Sequence, residues 1–188
     1  DDYTGTLKGK MQSSEPATLF NIGGPADVND WLSKLEDLSD QPWVKEAVPG
    51  TLGGVTLEGK VYGMPVGIEG YGFVINTRIF KAAGIETEGL TGFDQIEKAF
   101  HDLQDKIDAG ELKEQFPLLE SVFEVPGKET WIQGRHTLNV AMNQEIPSLI
   151  EAFQAKSIEL KYSAEYKLII DLMSDLTVHK NDKGFLNA

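Results

Sequence analysis

The most informative stretch of the sequence is GKVYGMPVGIEGYGFVINTRIF, residues 59–80. It contains two apolar runs, one from Val61 to Val66 and the other from Tyr71 to Ile75. Between them lie residues 67–70, a carboxylate and an isoleucine enclosed by two glycines. Apolar runs of this length predict buried strands, and glycines give the backbone between them unusual freedom. The stretch therefore predicts two strands that meet at a bend carrying one charge.

Strand-like and helix-like patterns alternate along the rest of the chain. Short strands are predicted at residues 17–21 and 116–121. Apolar residues recur at helical spacing over 96–107, and again over 166–173 behind Ser163, which is suited to cap a helix. Alternation of strands with helices favours the α/β class.

Composition limits the possible partners. The chain has 188 residues, with 17 Lys and Arg against 30 Asp and Glu, so its net charge is −13. Nucleic acids and anionic membrane surfaces attract basic patches, so we expect neither nucleic acid nor a bare membrane as partner. Cysteine is absent, which excludes thiolate catalysis and cysteine-based zinc sites.

The residues offer little for catalysis. The three histidines lie outside any metal-ligand spacing, and the chain has no nucleophile elbow, Walker loop or dinucleotide fingerprint. We therefore expect no catalytic residues, no metal and no cofactor. Glu69 and Glu124 could in principle act as the paired carboxylates of a glycoside hydrolase. With 30 acidic residues such a pair arises easily by chance.

Ligand binding is the better interpretation of the polar and aromatic residues. Sugars are bound by aromatic faces against their C–H surfaces and by polar side chains at their hydroxyls. Trp131 and Trp43 lie in or near predicted loops, where function concentrates, although packing is favoured for Trp43. If Glu69 is buried it needs a hydrogen-bond partner, and the alternatives are a salt bridge or a solvated turn.

The block EGKVYGMPVGIEGYGFVINTRIFKAAGI (58–85) resembles a known signature. That signature is Gly-Lys-x-Tyr-Gly-x-Pro, a short variable run, an apolar strand ending Tyr-Asn, and a short helix before Ala-Gly-Ile/Leu. Here the strand ends Ile75-Asn76 and departs only at the tyrosine. Further segments resemble the same pattern, namely SEPATLF (14–20), LEDLSD (35–40), GLTGFDQIEKAFHDLQ (89–104) and YKLIIDLMSD (166–175). The chain thus resembles family 1 of the extracellular solute-binding proteins of ABC importers, the group that contains maltodextrin-binding protein.

The resemblance implies a periplasmic-binding-protein-like fold of type II, a clamp of two α/β lobes that close on a ligand. It assigns residues 1–70 to the N-terminal lobe and 71–188 to the C-terminal lobe, with a crossover near 67–76. Members of the family are much longer than this chain, so we expect it to be an internal fragment, incomplete at both ends.

The resemblance also implies site residues. The ligand-facing glutamate of the family falls on Glu69, next to Tyr71 in the crossover. The loop after the first predicted strand falls on Asn21 and Gly23. A third region runs from Glu124 to Trp131.

The function implied is capture of a carbohydrate, an oligosaccharide, and its delivery to the permease subunits of an ABC importer. The location implied is extracellular or periplasmic, with membrane contact only through a lipid anchor or the permease. The chain is not expected to be an enzyme. The alternatives are a glycoside hydrolase using paired carboxylates and a non-sugar interaction domain on the same fold.

Overall fold

The computed structural model of the protein describes residues 2–129 and 131–177. In chain order its elements are helices α1 (Tyr3–Met11) and α2 (Pro25–Trp31), strands β1 (Thr56–Leu57) and β2 (Lys60–Val61), helices α3 (Thr77–Ala82) and α4 (Phe93–Asp108), a π-helical turn (Ile132–Thr137), and helices α5 (Leu138–Glu145), α6 (Leu149–Gln154) and α7 (Ser163–Asp175). Three short 3-10 turns occur at Leu32–Lys34, Pro42–Lys45 and Gly53–Val55.

The described chain divides into two compact units. The first unit comprises the chain up to Glu69 together with Ser148–Lys156, and the second comprises Gly70–Pro147 and the described residues from Ser157 onward. Helix α6 therefore belongs with the first unit although it follows most of the second in sequence. The assignment of these units to N-terminal and C-terminal lobes stays a prediction, and its part beyond residue 177 lies outside the described residues.

The first unit contains a tight hairpin whose second strand lies at the start of residues 59–80. Strands β1 and β2 pair antiparallel through a two-residue turn, Glu58-Gly59, whose φ angles are 50° and 78°. Positive φ at both positions matches the right-handed twist of the strands and explains the glycine. Val61 is buried, and its backbone N–H donates to Ser39 Oγ at 3.0 Å while its carbonyl accepts from Leu38 N at 2.8 Å. These bonds attach the hairpin to the preceding loop.

The second unit is built on the amphipathic helix α4. Phe100 and Leu103 are each only 2% exposed on its inner face, as their helical spacing predicts. They pack with Phe80 of α3 and with Leu172 and Leu176 at the end of α7 in one hydrophobic core. The helices predicted over 96–107 and 166–173 are confirmed as α4 and α7, but the predicted cap is wrong: Ser163 is the first residue of α7, and the N-cap is Tyr162, whose side chain makes no capping bond.

Three strand predictions are wrong for the described residues. Residues 17–21, 71–75 and 116–121 form no hydrogen-bonded strand there, and the only other bridge described pairs Phe123 with Thr177 in parallel. Val66 is 88% and Val74 100% exposed, so the two apolar runs are not fully buried. An apolar pattern favours extended backbone, but a strand also requires a neighbouring chain in register. The described part is therefore rich in helix and has few strands.

Candidate functional site

Three aromatic side chains of the second unit form a partly exposed surface, which we name the aromatic patch. The Tyr71 ring stacks on His136 with 5.2 Å between centroids and 20° between planes. The Trp131 ring meets the same histidine edge to face at 5.4 Å and 71°. Tyr71 is 47% and Trp131 49% exposed, and the Trp131 Nε1–H donates to Glu129 Oε2 at 3.1 Å. Large rings are thus held in place by one another while half of their surface faces solvent.

A chain of hydrogen bonds supports the patch from below. The hydroxyl oxygens of Tyr71 and Thr137 are 2.6 Å apart. Thr137 Oγ1 donates to Gln133 Oε1 at 2.9 Å, so its single hydrogen is used and the Tyr71 hydroxyl is the donor of the first bond. Tyr166 O–H donates to the Gln133 backbone carbonyl at 3.2 Å. These hydrogen bonds lead from the half-exposed Tyr71 ring to the interior of the second unit.

Gln133 is the unusual member of this network. Its side chain is 7% exposed, and its Nε2 has no hydrogen-bond partner among the described residues. Buried amide groups almost always have partners, so an unpaired donor marks a place where a further acceptor would be stabilising. Among the described residues, Gln133 Nε2 is therefore a free hydrogen-bond donor in the network that supports the aromatic patch.

The π-helical turn Ile132–Thr137 sets the positions of these side chains. Its wider ring brings Thr137 Oγ1 to 3.4 Å from the Ile132 carbonyl, five residues earlier. Gly134 lies in the turn with nothing within 4 Å of where a Cβ would be. π-Helical turns are rare in proteins, and those that occur are often found at functional sites. The turn places the buried polar pair inward and His136 outward.

Burial changes the acidity of one residue in the network. Desolvation, and secondarily the proximity of Tyr71, raises the pKa of Tyr166 above its usual value. Its hydroxyl is therefore protonated over the physiological range, consistent with its role as a donor to the Gln133 carbonyl.

A cavity of about 580 Å³ adjoins the patch within the second unit. Tyr71 lines the cavity and also belongs to the aromatic patch. Ile132 lines the cavity and is the first residue of the π-helical turn. Most of the remaining lining is aliphatic or aromatic, with polar side chains supplied by Asn76, Ser121 and Glu124. The site thus combines an exposed aromatic surface, a buried polar network and an apolar space.

The structure brings together three of the residues that the sequence analysis selected in the second unit. Tyr71 and Trp131 both contact His136, and Tyr71 and Glu124 both line the cavity. Glu124 is exposed.

The other selected residues belong to the first unit. Gly23 N–H donates to Asp27 Oδ2 at 2.6 Å at the start of α2, and the backbone of Asn21 exchanges two hydrogen bonds with the Tyr3 hydroxyl. Both residues are exposed. This loop is therefore held through its backbone, which leaves the Asn21 side chain free to contact a ligand.

Glu69 differs from what the sequence suggested. It is exposed and makes no hydrogen bond or ion pair with the residues that the structure describes. Burial, the condition under which Glu69 would need a partner, is therefore not met, and Ile68 beside it is also 74% exposed. Glu69 is solvated, in a segment (62–71) that forms no turn, helix or strand.

Sequence reasoning missed Gln133, Thr137 and Tyr166 as site residues. Two signals could have indicated them. Gly134 interrupts an otherwise helical pattern, and Gln133 and Thr137 are polar residues four apart on one helix face. Their meeting with Tyr71, 66 residues before Thr137, could not be read from spacing.

The described residues contain neither a membrane-spanning helix nor a metal-binding cluster. None of the helices in residues 2–129 and 131–177 has both the length and the apolar character needed to cross a membrane. Within the same residues, no three acidic or histidine side chains come close enough together to hold a metal ion.

Comparison with known families decides the affiliation of the chain. A family model described as bacterial extracellular solute-binding protein matches residues 1–176. The chain belongs to this family. The resemblance drawn from residues 58–85 is therefore confirmed at the level of an extracellular solute-binding protein.

Membership has further consequences for this solute-binding protein. It implies a periplasmic-binding-protein-like fold, capture of a ligand for an ABC importer, a partner among transporter components, and an extracellular or periplasmic location. The family is generally non-enzymatic. No curated protein and no solved structure matched the chain.

Proposed function

We propose that this solute-binding protein captures a carbohydrate, specifically an oligosaccharide, for delivery to the permease of an ABC importer. The observation that carries the proposal is the aromatic patch, in which Tyr71 and Trp131 are both about half exposed and are held through His136. A sugar ring has apolar C–H faces and polar edges, so it matches rigid, amphipathic rings that are exposed on one face.

The hydrogen-bond network beneath the patch supports the same proposal. Hydroxyl groups at a sugar edge need both donors and acceptors, and Tyr71 uses its hydrogen on Thr137 while its oxygen can still accept. The Trp131 indole N–H is held by Glu129, whose carboxylate is exposed and can accept from a second hydroxyl. Ordered side chains lose less conformational entropy on binding.

The proposal extends to a two-lobe clamp. The chain divides between Glu69 and Gly70, inside the segment 67–76 that we expect to act as crossover and hinge. No heavy atom outside the adjacent residues lies within 4 Å of where a Cβ would be at Gly67 or Gly70, which suits residues that absorb φ/ψ changes. In this proposal Asn21, Gly23 and Glu69 are ligand contacts supplied by the first unit.

Delivery and location complete the proposal. Closure on the ligand presents the loaded form to permease subunits, and ATP is hydrolysed by a separate subunit. The protein acts outside the cytoplasmic membrane, and its contacts with the membrane are a lipid anchor or the permease. It is a binder and not an enzyme, with no cofactor in its function.

A carbohydrate screen tests the proposal. Calorimetry with mono- and oligosaccharides is combined with tryptophan fluorescence on the whole chain. We expect an oligosaccharide to release heat and to change the emission of Trp131. The variant Trp131→Ala should weaken binding at least tenfold, which corresponds to about 1.4 kcal/mol. Trp43→Ala, which removes an indole from the first unit, is the matched control and should leave the affinity unchanged.

Three results would count against the proposal. The first is silence of every sugar in both measurements, which would favour an interaction domain. The second is unchanged affinity in Trp131→Ala. The third is release of sugar products by the purified chain, which would favour a glycoside hydrolase.

A further inference from the structure

The cavity beside the aromatic patch has the chemistry of a site for an apolar group. Its volume of about 580 Å³ lies in the range of small-molecule sites. Phe73, Phe100 and Phe123 line it and contact one another, with centroid distances of 5.3, 5.3 and 5.1 Å. Two of the three contacts are edge to face. Such a cluster presents ring faces and edges to a further aromatic or aliphatic group.

Sugar hydroxyls would find few partners in the buried part of this cavity, because the charged lining side chain, Glu124, is exposed. Ser121 Oγ already donates to the Phe123 carbonyl at 2.8 Å, and Asn76 Oδ1 already accepts from Arg78 N at 3.2 Å. Hydroxyls buried without hydrogen bonds are unfavourable, and a carbohydrate alone is therefore a poor occupant. An apolar group needs no such partners.

The cavity can be reached from solvent on the side where the patch lies. Tyr71 and Phe73, which line the cavity, are 47% and 37% exposed, and the lining residue Val74 is 100% exposed. Tyr71 is shared by the two regions, since its ring stacks on His136 and also lines the cavity. A ligand resting on the patch therefore has a direct path for an attached group.

We infer that the solute is a glycoside whose apolar aglycone, an aryl or alkyl group, occupies this cavity while its sugar stacks on the aromatic patch. The inference rests on the proposed function and narrows its ligand class. Tyr71 is the residue that separates the two parts, fixed by its stack on His136 and its bond to Thr137. The aglycone contributes affinity through apolar burial against the phenylalanine cluster.

Pairs of methyl and phenyl glycosides of the same sugars test the inference on the whole chain. We expect the phenyl glycoside to bind about tenfold or more tightly than its methyl counterpart, with a more negative heat-capacity change because apolar surface is buried. Calorimetry at three temperatures measures both quantities. Phenol alone should bind far more weakly than the phenyl glycoside, because it lacks the sugar.

A variant that fills the cavity adds a second readout. Val140 lines the cavity and is 42% exposed, so Val140→Trp can place its ring there without a rearrangement of the core. We expect it to abolish the preference for phenyl and to keep the affinity for methyl glycosides. Val48→Trp is the matched control, since Val48 is a 60% exposed valine of the first unit. Circular dichroism verifies that both variants are folded.

The outcomes separate this inference from the proposed function. Equal binding of methyl and phenyl glycosides overturns the inference and leaves carbohydrate capture standing. Phenol that binds as tightly as the phenyl glycoside overturns both, because the sugar then contributes nothing. A phenyl preference that survives in Val140→Trp overturns the assignment to this cavity.

Discussion

Thr137→Val tests the buried network from which the site is built. Thr137 is 0% exposed, and its hydroxyl connects Tyr71 to Gln133 at 2.6 and 2.9 Å. Valine has nearly the same shape but leaves Gln133 Oε1 buried without its donor, which costs about 1–3 kcal/mol. The Tyr71 hydroxyl loses less, because its ring is half exposed and water can replace the bond. We expect the free energy of unfolding to fall by about 1.5–3 kcal/mol.

Two further variants separate the hydroxyl from packing. Thr137→Ser keeps the hydroxyl and removes one buried methyl group, so it should cost only about 1 kcal/mol. The double variant with Tyr71→Phe should cost less than the sum of the single changes, by about 0.5–1.5 kcal/mol, since both remove the same bond.

Urea unfolding followed by far-UV circular dichroism measures these changes. Trp131 fluorescence, in a background with Trp31→Phe and Trp43→Phe, reports the second unit alone. A loss below 0.5 kcal/mol in Thr137→Val, together with strict additivity with Tyr71→Phe, would refute the network as described.

Three other predictions concern the second unit. Two loop N–H groups donate to the Glu145 carboxylate at 2.7 and 3.0 Å and lower its pKa. A lowered folded-state pKa stabilises the fold above the unfolded-state value, and this contribution is lost as pH falls through the folded-state value. Glu145→Gln should therefore reduce the decrease in stability between pH 6 and pH 3, measured by urea titrations at each pH. Gly134→Ala should stabilise the unit by about 0.5–1 kcal/mol because the turn is helical and the site for a Cβ is open, so an unchanged or lower melting temperature would contradict it. Phe100→Ala should cost about 3–5 kcal/mol, since its ring is 2% exposed, and a loss under 1 kcal/mol in urea unfolding would show that the core is not centred there.

Helices α4 and α7 were predictable because their apolar periodicity is a local signal. Apolar residues four or three apart place one face of α4 against the core whatever surrounds it, and Phe100 and Leu103 are buried accordingly. Strands carry a weaker local signal, because pairing depends on a second segment in register. Residues 71–75 have the apolar pattern of a strand, yet in the described part they line a cavity and form no sheet.

The candidate site was only partly predictable. Tyr71 and Trp131 were selected from the sequence, and the structure places both against His136. Glu69 was selected in the same way, but the structure leaves it exposed. A single charge between two apolar runs does not show whether the surrounding residues are buried. Gln133 was missed because its significance comes from an unpaired buried amide, a property of the folded molecule.

Helices α4 and α7, the acidic character and the family of this protein could be read from the sequence alone, because periodicity, composition and the motif of residues 58–85 are properties of a linear chain. Three features depend on tertiary contacts: Tyr71 meets Thr137 across 66 residues, the Gln133 side-chain amide has no acceptor among the described residues, and an apolar cavity lies beside them. Hydrogen bonds and cavities are relations between distant segments, so they exist only once hydrophobic burial has brought those segments together.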